Sequence, residues 1–279
     1  MRVLVIAEHN NEELKPSTLS TINAANKINS TIDVIVIGAG CDNVINKLSK
    51  VQSVNKVLVV EDDKYKNHIA ENFSKIILSC VENYTHVLAP ASTFGKNIMP
   101  RVAAMLDVAQ ISDIIKIEAE DIFVRPIYAG NALATVQSSD PKKIITVRPT
   151  SFDAISTEGG NAEIEKLEVN IENSAVEFIG REETKSDRPE LGSARIVISG
   201  GRGLGSSENF KIIYDLADEP AGMSIDEEGL ITWTPGDGIL TSGEVTLTVY
   251  DGLQESDDTL FSEEEFTIAV TQRADIDPI

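Results

Sequence analysis

Arg2-Val3-Leu4-Val5-Ile6, Asp33-Val34-Ile35-Val36-Ile37, Lys56-Val57-Leu58-Val59-Val60 and His86-Val87-Leu88-Ala89 are short apolar runs rich in β-branched residues. Between and after them lie stretches with helical spacing: Leu19, Ile22 and Ala25; Val44 and Leu48; Ile69 to Ile77; Ile98 to Leu106. A strand that is apolar on every residue has no face to offer water, so it belongs in a sheet covered on both sides. Alternation of such strands with helices predicts a parallel sheet wound by right-handed crossovers, an α/β fold.

Outward from that core the pattern changes. Ile114–Glu118, Ile122–Tyr128, Ala132–Val136, Lys143–Arg148, Glu165–Asn170 and Val176–Glu182 read as short strands, which extend the sheet and add an arm or hairpin. A polar connector, Glu182-Glu183-Thr184-Lys185-Ser186-Asp187-Arg188-Pro189, follows. Ala194–Ser199 then reads as a buried strand, Gly200–Gly205 as a glycine-rich turn and Ser206–Leu216 as a helix. That is the first βα unit of a Rossmann-like domain, and no further helix–strand alternation comes after Pro220. Instead Gly229–Pro235, Glu244–Tyr250 and Glu265–Val270 alternate at period two, the pattern of antiparallel, sandwich-like strands with one face in a core. The expected domains are therefore 1–185 (α/β), 186–217 (linker and truncated second domain) and 218–279 (small antiparallel β segment).

Composition narrows the function classes. The 279 residues hold 45 acids and 24 bases, a net charge of −21, which repels phosphates and argues against nucleic acid. The charge is uneven: Asp218–Ile279 carries 16 acids against the single base Arg273. Cys41 and Cys80 fit neither a zinc spacing nor a redox pair and read as buried thiols of a reducing compartment. The opening apolar run is too short for a signal peptide and no stretch is long enough to span a membrane, so a cytoplasmic protein without membrane insertion is expected. His9, His68 and His86 read as loop or surface residues, and no hydrolase elbow surrounds Ser199. The acids Asp257, Asp258, Glu263–Glu265, Asp275 and Asp277 meet no EF-hand spacing, and a solvated face is the plainer reading.

Three blocks resemble the alpha subunit of electron transfer flavoprotein. They are Leu88-Ala89-Pro90-Ala91-Ser92-Thr93-Phe94-Gly95-Lys96-Asn97 with its continuation to Ile111-Ser112-Asp113; Arg125-Pro126-Ile127-Tyr128-Ala129-Gly130-Asn131-Ala132; and Arg188-Pro189-Glu190-Leu191 leading into Gly200-Gly201-Arg202-Gly203-Leu204. The likeness spans about residues 1–217. It implies an FAD-dependent electron carrier rather than an enzyme with its own substrate. It also implies pairing with a beta subunit, and passage of electrons from acyl-CoA or other flavin dehydrogenases to a quinone oxidoreductase. By the family pattern Gly200, Gly201, Arg202 and Gly203 contact the cofactor, with Arg202 near the flavin ring, where a fixed cation favours the reduced anion. Taken without the resemblance, the glycine-rich turn is a generic anion site at a helix N-terminus. The family's later FAD motifs are missing after Leu216, so impaired FAD binding is expected.

The tail resembles cadherin-like or immunoglobulin-like repeats of bacterial surface proteins, on Pro220-Ala221-Gly222-Met223, Gly229-Leu230-Ile231-Thr232-Trp233-Thr234-Pro235 and Val249-Tyr250-Asp251-Gly252. Tyr214–Asp218 suits both families, either as the end of the flavoprotein helix or as the strand before the repeat's turn. A joined sequence is expected there. The alternative function is an interaction or adhesion protein that uses the acidic tail, with calcium as a candidate ligand.

Overall fold

The computed structural model describes residues 2–28, 31–171 and 176–181, and five backbone strands beyond them. The chain divides into two compact units, Met1–Asp187 and Arg188–Ile279.

In the first unit the apolar runs become β1 (Val3–Ile6), β2 (Ile32–Gly38), β3 (Val54–Glu61) and β4 (His86–Pro90). They alternate with α1 (Pro16–Asn26), α2 (Asp42–Ser49), α3 (Ala70–Cys80) and α4 (Thr93–Met105). With β5 (Gln110–Ile114), β9 (Lys143–Val147) and β10 (Glu163–Lys166) they form a seven-stranded sheet of order β10-β3-β2-β1-β4-β9-β5. Every pairing in it is parallel. Alternate residues of β1 serve opposite layers: Val3 and Val5 join α1 and α2 in one core, while Leu4 and Ile6 join α3 and α4 in the other. Burial on both faces is the reason these strands lack polar alternation.

The middle of the chain departs from its expected strands in three places. The run Ile114–Glu118 is split at Ile115, where β5 (ending at Ile114) gives way to a new strand starting at Lys116; just before it Asp113 adopts a left-handed backbone (φ 57°) at a register shift in β5. Its amide donates to Thr146 Oγ1 (2.8 Å) and its carboxylate takes a two-point ion pair from Arg148. The chain then turns into an antiparallel arm of β6 (Lys116–Ala119), β7 (Ile122–Ile127) and β8 (Ala132–Gln137). Of Glu165–Asn170 only the start pairs with β3, the last bond running from Leu167 N–H to Val59 O (2.8 Å); Val169 and Ile171 lie against the α3–α4 core without a ladder. The buried Tyr65 hydroxyl takes the ladder's place, donating to Val169 O (3.1 Å) and accepting from Ile171 N–H (3.0 Å). Val176–Arg181, the described part of the expected strand Val176–Glu182, forms no strand and is exposed.

The second unit contains β11 (Tyr214–Ala217), β12 (Met223–Ile225), β13 (Ile231–Trp233), β14 (Val245–Tyr250) and β15 (Phe261–Phe266). β14 pairs antiparallel with β11 and β15, and β12 with β13. Two expectations are corrected. Tyr214–Leu216 does not end a helix, since pairing with Val249–Leu247 holds it extended; and the last strand lies at Phe261–Phe266 rather than 265–270, because its register to β14 runs from Tyr250↔Phe261 to Val245↔Phe266. The expected strand at 194–199 and the start of the expected helix, 206–213, lie outside the described residues.

Helix α4 begins earlier than its apolar spacing suggested, at Thr93, with Ser92 Oγ accepting from Gly95 N–H (3.4 Å). Gly95 is there because the helix touches β4: a Cβ on it would stand 1.9 Å from the Pro90 carbonyl oxygen. Gly95→Ala is expected to destabilise the first unit by about 1–3 kcal/mol, read from urea unfolding, because backbone must move to admit the methyl.

Candidate functional site

Strand order reverses between β1 and β4, and in open α/β sheets ligands bind at the carboxyl ends of strands beside such a switch. The turn after β1 brings His9 there, with the ring buried and Nδ1 accepting from Asn11 N–H (3.1 Å). His68, from the connection between β3 and α3, meets His9 edge-on at 4.9 Å between centroids and lies tilted (48°) against Phe73 at 5.2 Å. Asn11, left-handed at φ 77°, joins the pieces. Its Oδ1 accepts from Ala39 N–H (3.2 Å) and lies 3.0 Å from His68 Nε2, while its Nδ2 donates to Lys66 O (3.0 Å). Gly38 leaves room for these side chains, since a Cβ would fall 2.4 Å from Asn11 Oδ1 and 2.8 Å from Cys41 Sγ and would push them aside. The protein's own side chains fill the crevice. The β1–α1 turn, Ala7 to Lys15, has no glycine to let a pyrophosphate approach the backbone. This crevice does not fit a dinucleotide.

The histidines correct the surface reading. His9 and His86 are buried, and His86 is clamped between Thr85 Oγ1 (2.9 Å) and the Glu120 carbonyl (2.7 Å) at the root of the arm. His9 and His68, far apart in sequence, converge at the carboxyl ends of the strands, which spacing alone does not reveal. Burial pushes His9 down to about 3, with His68 adding to the shift, and pushes His68 down to about 4 with Arg181 nearby. Burial, then Glu61, pushes the Cys41 thiol up to about 11, so it is no nucleophile at neutral pH. Among the described residues no group of three or more His, Cys, Asp or Glu is placed to hold a metal.

A second buried polar centre has one signal in the sequence, a lone acid inside an apolar run. Asp33, fully buried in β2, takes hydrogen bonds from Arg2, from Tyr84 Oη (2.7 Å) and from Asn55 Nδ2 (2.9 Å). The Asp33 hydrogen bond raises the Arg2 pKa, and burial followed by the Asp33 hydrogen bond raises that of Tyr84. The cluster ties the start of β1 to β2, β3 and β4, a structural task.

The motif residues sort by position. Ser92, Gly95 and Asp113 do structural work already described. Arg125–Ala132 forms the end of β7, a tight turn and the start of β8, and there Tyr128 is 80% exposed. Gly200, Gly201, Arg202 and Gly203, and the acids Asp257, Asp258, Asp275 and Asp277, lie outside the described residues; of Glu263–Glu265 only the backbone of β15 is described. Among the described residues no helix is long and apolar enough to cross a membrane.

The histidine pair yields a pH prediction. Both stay neutral in the folded protein below their ordinary 6.5, so the unfolded chain binds more protons between pH 6.5 and about 3. Stability from this pair is full above pH 6.5 and is lost as pH falls toward 3. Urea unfolding from pH 7 to 4 is expected to show a smaller loss in His68→Asn than in the unaltered chain.

Residues 3–172 match the model of the electron transfer flavoprotein domain. The chain is 51% identical over 219 residues to electron transfer flavoprotein subunit alpha of Pseudomonas aeruginosa, covering 78% of this chain and 71% of that protein. It is 43% identical to the subunit alpha of Paracoccus denitrificans, covering 71% of it, and 45% identical to the mitochondrial subunit alpha of Dictyostelium discoideum, covering 66%. With the family model matched over most of its length and relatives this similar, the chain belongs to the electron transfer flavoprotein family, alongside the alpha subunits.

Proposed function

We propose that this chain is an alpha-subunit-like protein that docks an electron transfer flavoprotein beta subunit through its first unit and binds FAD poorly. In the intact carrier FAD supplies the redox chemistry, taking electrons from acyl-CoA or other flavin dehydrogenases and delivering them to a quinone oxidoreductase. Here the cofactor contacts would fall to Gly200, Gly201, Arg202 and Gly203, with Arg202 offering a cation to the reduced ring. The carrying observation is the antiparallel pairing of Tyr214–Ala217 with Val245–Tyr250. A dinucleotide-binding domain needs helices and parallel strands after its first βα unit, and a strand bonded this way supports neither. On this reading a small antiparallel module stands where part of the FAD enclosure would be.

The test is direct. The chain purified with a bacterial beta subunit is expected to be nearly colourless at about 450 nm, where oxidised flavin absorbs, and to stay so after dialysis from excess FAD. One FAD retained per heterodimer would overturn impaired binding. Failure to co-purify with the beta subunit would overturn the pairing.

A further inference from the structure

At the β10 edge the large sheet stops short. β10 pairs with β3 as far as Lys166↔Val59, and Leu167 N–H adds a last bond to Val59 O, whereas β3 itself runs on to Glu61. Lys56 fastens β10 with ion pairs to Glu163 (3.3 Å) and Glu165 (2.8 Å). Beyond Lys166 the chain stays beside the sheet without joining it. Val169 N–H turns back to Leu167 O (3.1 Å), a local bond where a ladder bond would otherwise be. Leu167, Val169 and Ile171 press, partly buried, on the α3–α4 core, while Glu168 and Asn170 between them face water.

Two side chains from one turn hold this segment down. Tyr65 is fully buried in the α3–α4 core, and its turn is capped by Asp62, whose carboxylate accepts from Lys64 N–H (3.1 Å). Its hydroxyl is therefore a fixed point, and both of its bonds, to Val169 O and from Ile171 N–H, go to the segment. Lys64 Nζ, 5.1 Å from the centre of the Tyr65 ring, donates to Asn170 Oδ1 at the surface. Empty space flanks the segment on both sides. One cavity, of about 700 Å³, has Leu58 and Tyr84 in its lining; the other, of about 650 Å³, has Val60 and Glu61. Leu167, Glu168, Val169 and Asn170 line both. Water entering there can bond the Tyr65 hydroxyl, the Val169 carbonyl and the Ile171 amide once they part, so opening strands no buried polar group. A stretch with half its side chains in water and one buried polar latch belongs to the low-stability end of a fold.

We infer that Leu167–Ile171 is a releasable strap, latched by the Tyr65 hydroxyl, which lifts as one piece while the large sheet stays folded. The hinge is at Lys166, where the ladder and the ion pairs of Lys56 end. Lifting joins the two cavities into one groove and bares the outer edge of β3 beyond Val59. The chain continues from Ile171 toward Arg188, where the second unit begins. Release therefore also lengthens that connection, by about 17 Å when the freed residues are fully extended.

The experiment is amide hydrogen exchange of the full chain, resolved to single residues and repeated in low urea. In the unaltered chain Leu167 and Ile171 are expected to share one level of protection, about a hundredfold or more below that of the β1 amides, with a shallower dependence on urea because little surface is exposed. Tyr65→Phe keeps the ring in the core and removes the latch. Ile171 loses its own acceptor in that variant, so the decisive amide is Leu167, whose bond to Val59 O is untouched. Its protection is expected to fall about tenfold, as for loss of a buried hydrogen bond. Leu167 and Ile171 protected as strongly as β1 in the unaltered chain would show that the segment opens only with the whole unit, and overturns the strap. Leu167 unchanged in Tyr65→Phe overturns the latch, since the two ends then open separately.

Discussion

Burial of a parallel sheet on both faces is the constraint that organises the first unit. Because β1, β2 and β3 send alternate side chains into two separate cores, neither layer of helices can be removed without exposing half of each strand. Each helix then has to lie close to the sheet, and at Gly95 the backbone of Pro90 is near enough to exclude any side chain. The polar groups caught inside the sheet must be satisfied there, and Asp33 is, by three donors from three separate segments.

The same constraint explains why the usual ligand crevice is filled. The carboxyl ends of β1, β2 and β3 meet a glycine-free turn, and Asn11 bonds across to Ala39 and Lys66. What would be a nucleotide cradle becomes a closed rim of His9, His68, Phe73 and Cys41. The first unit is thereby a scaffold, and its exposed features move to the arm, where Tyr128 and Leu133 stand outside the core.

The acidic C-terminal stretch has a different physical character. Sixteen acids against one base in residues 218–279 contrast with the milder balance before them. Its described strands pair antiparallel, whereas the large sheet is wholly parallel. Tyr214–Ala217 lies where the two patterns meet, and its pairing with β14 draws it into the antiparallel set.

The α/β class, the first four strands and the four helices were legible from residue pattern, because period and β-branching report local burial without knowledge of partners. Ile114–Glu118 reads as one strand because the pattern does not show that its start pairs with β9 and its remainder with β7, partners distant in sequence. Val176–Glu182 reads as a strand by composition, yet its described part, Val176–Arg181, is exposed and not a strand. Pattern located the Arg125–Ala132 motif but not its exposure. The sequence by itself determined which segments are buried on two faces and where charge changes along the chain. Tertiary structure alone decided strand order, the union of His9 with His68 and the partners of Asp33, because each depends on contacts between residues far apart in the chain, which local periodicity does not encode.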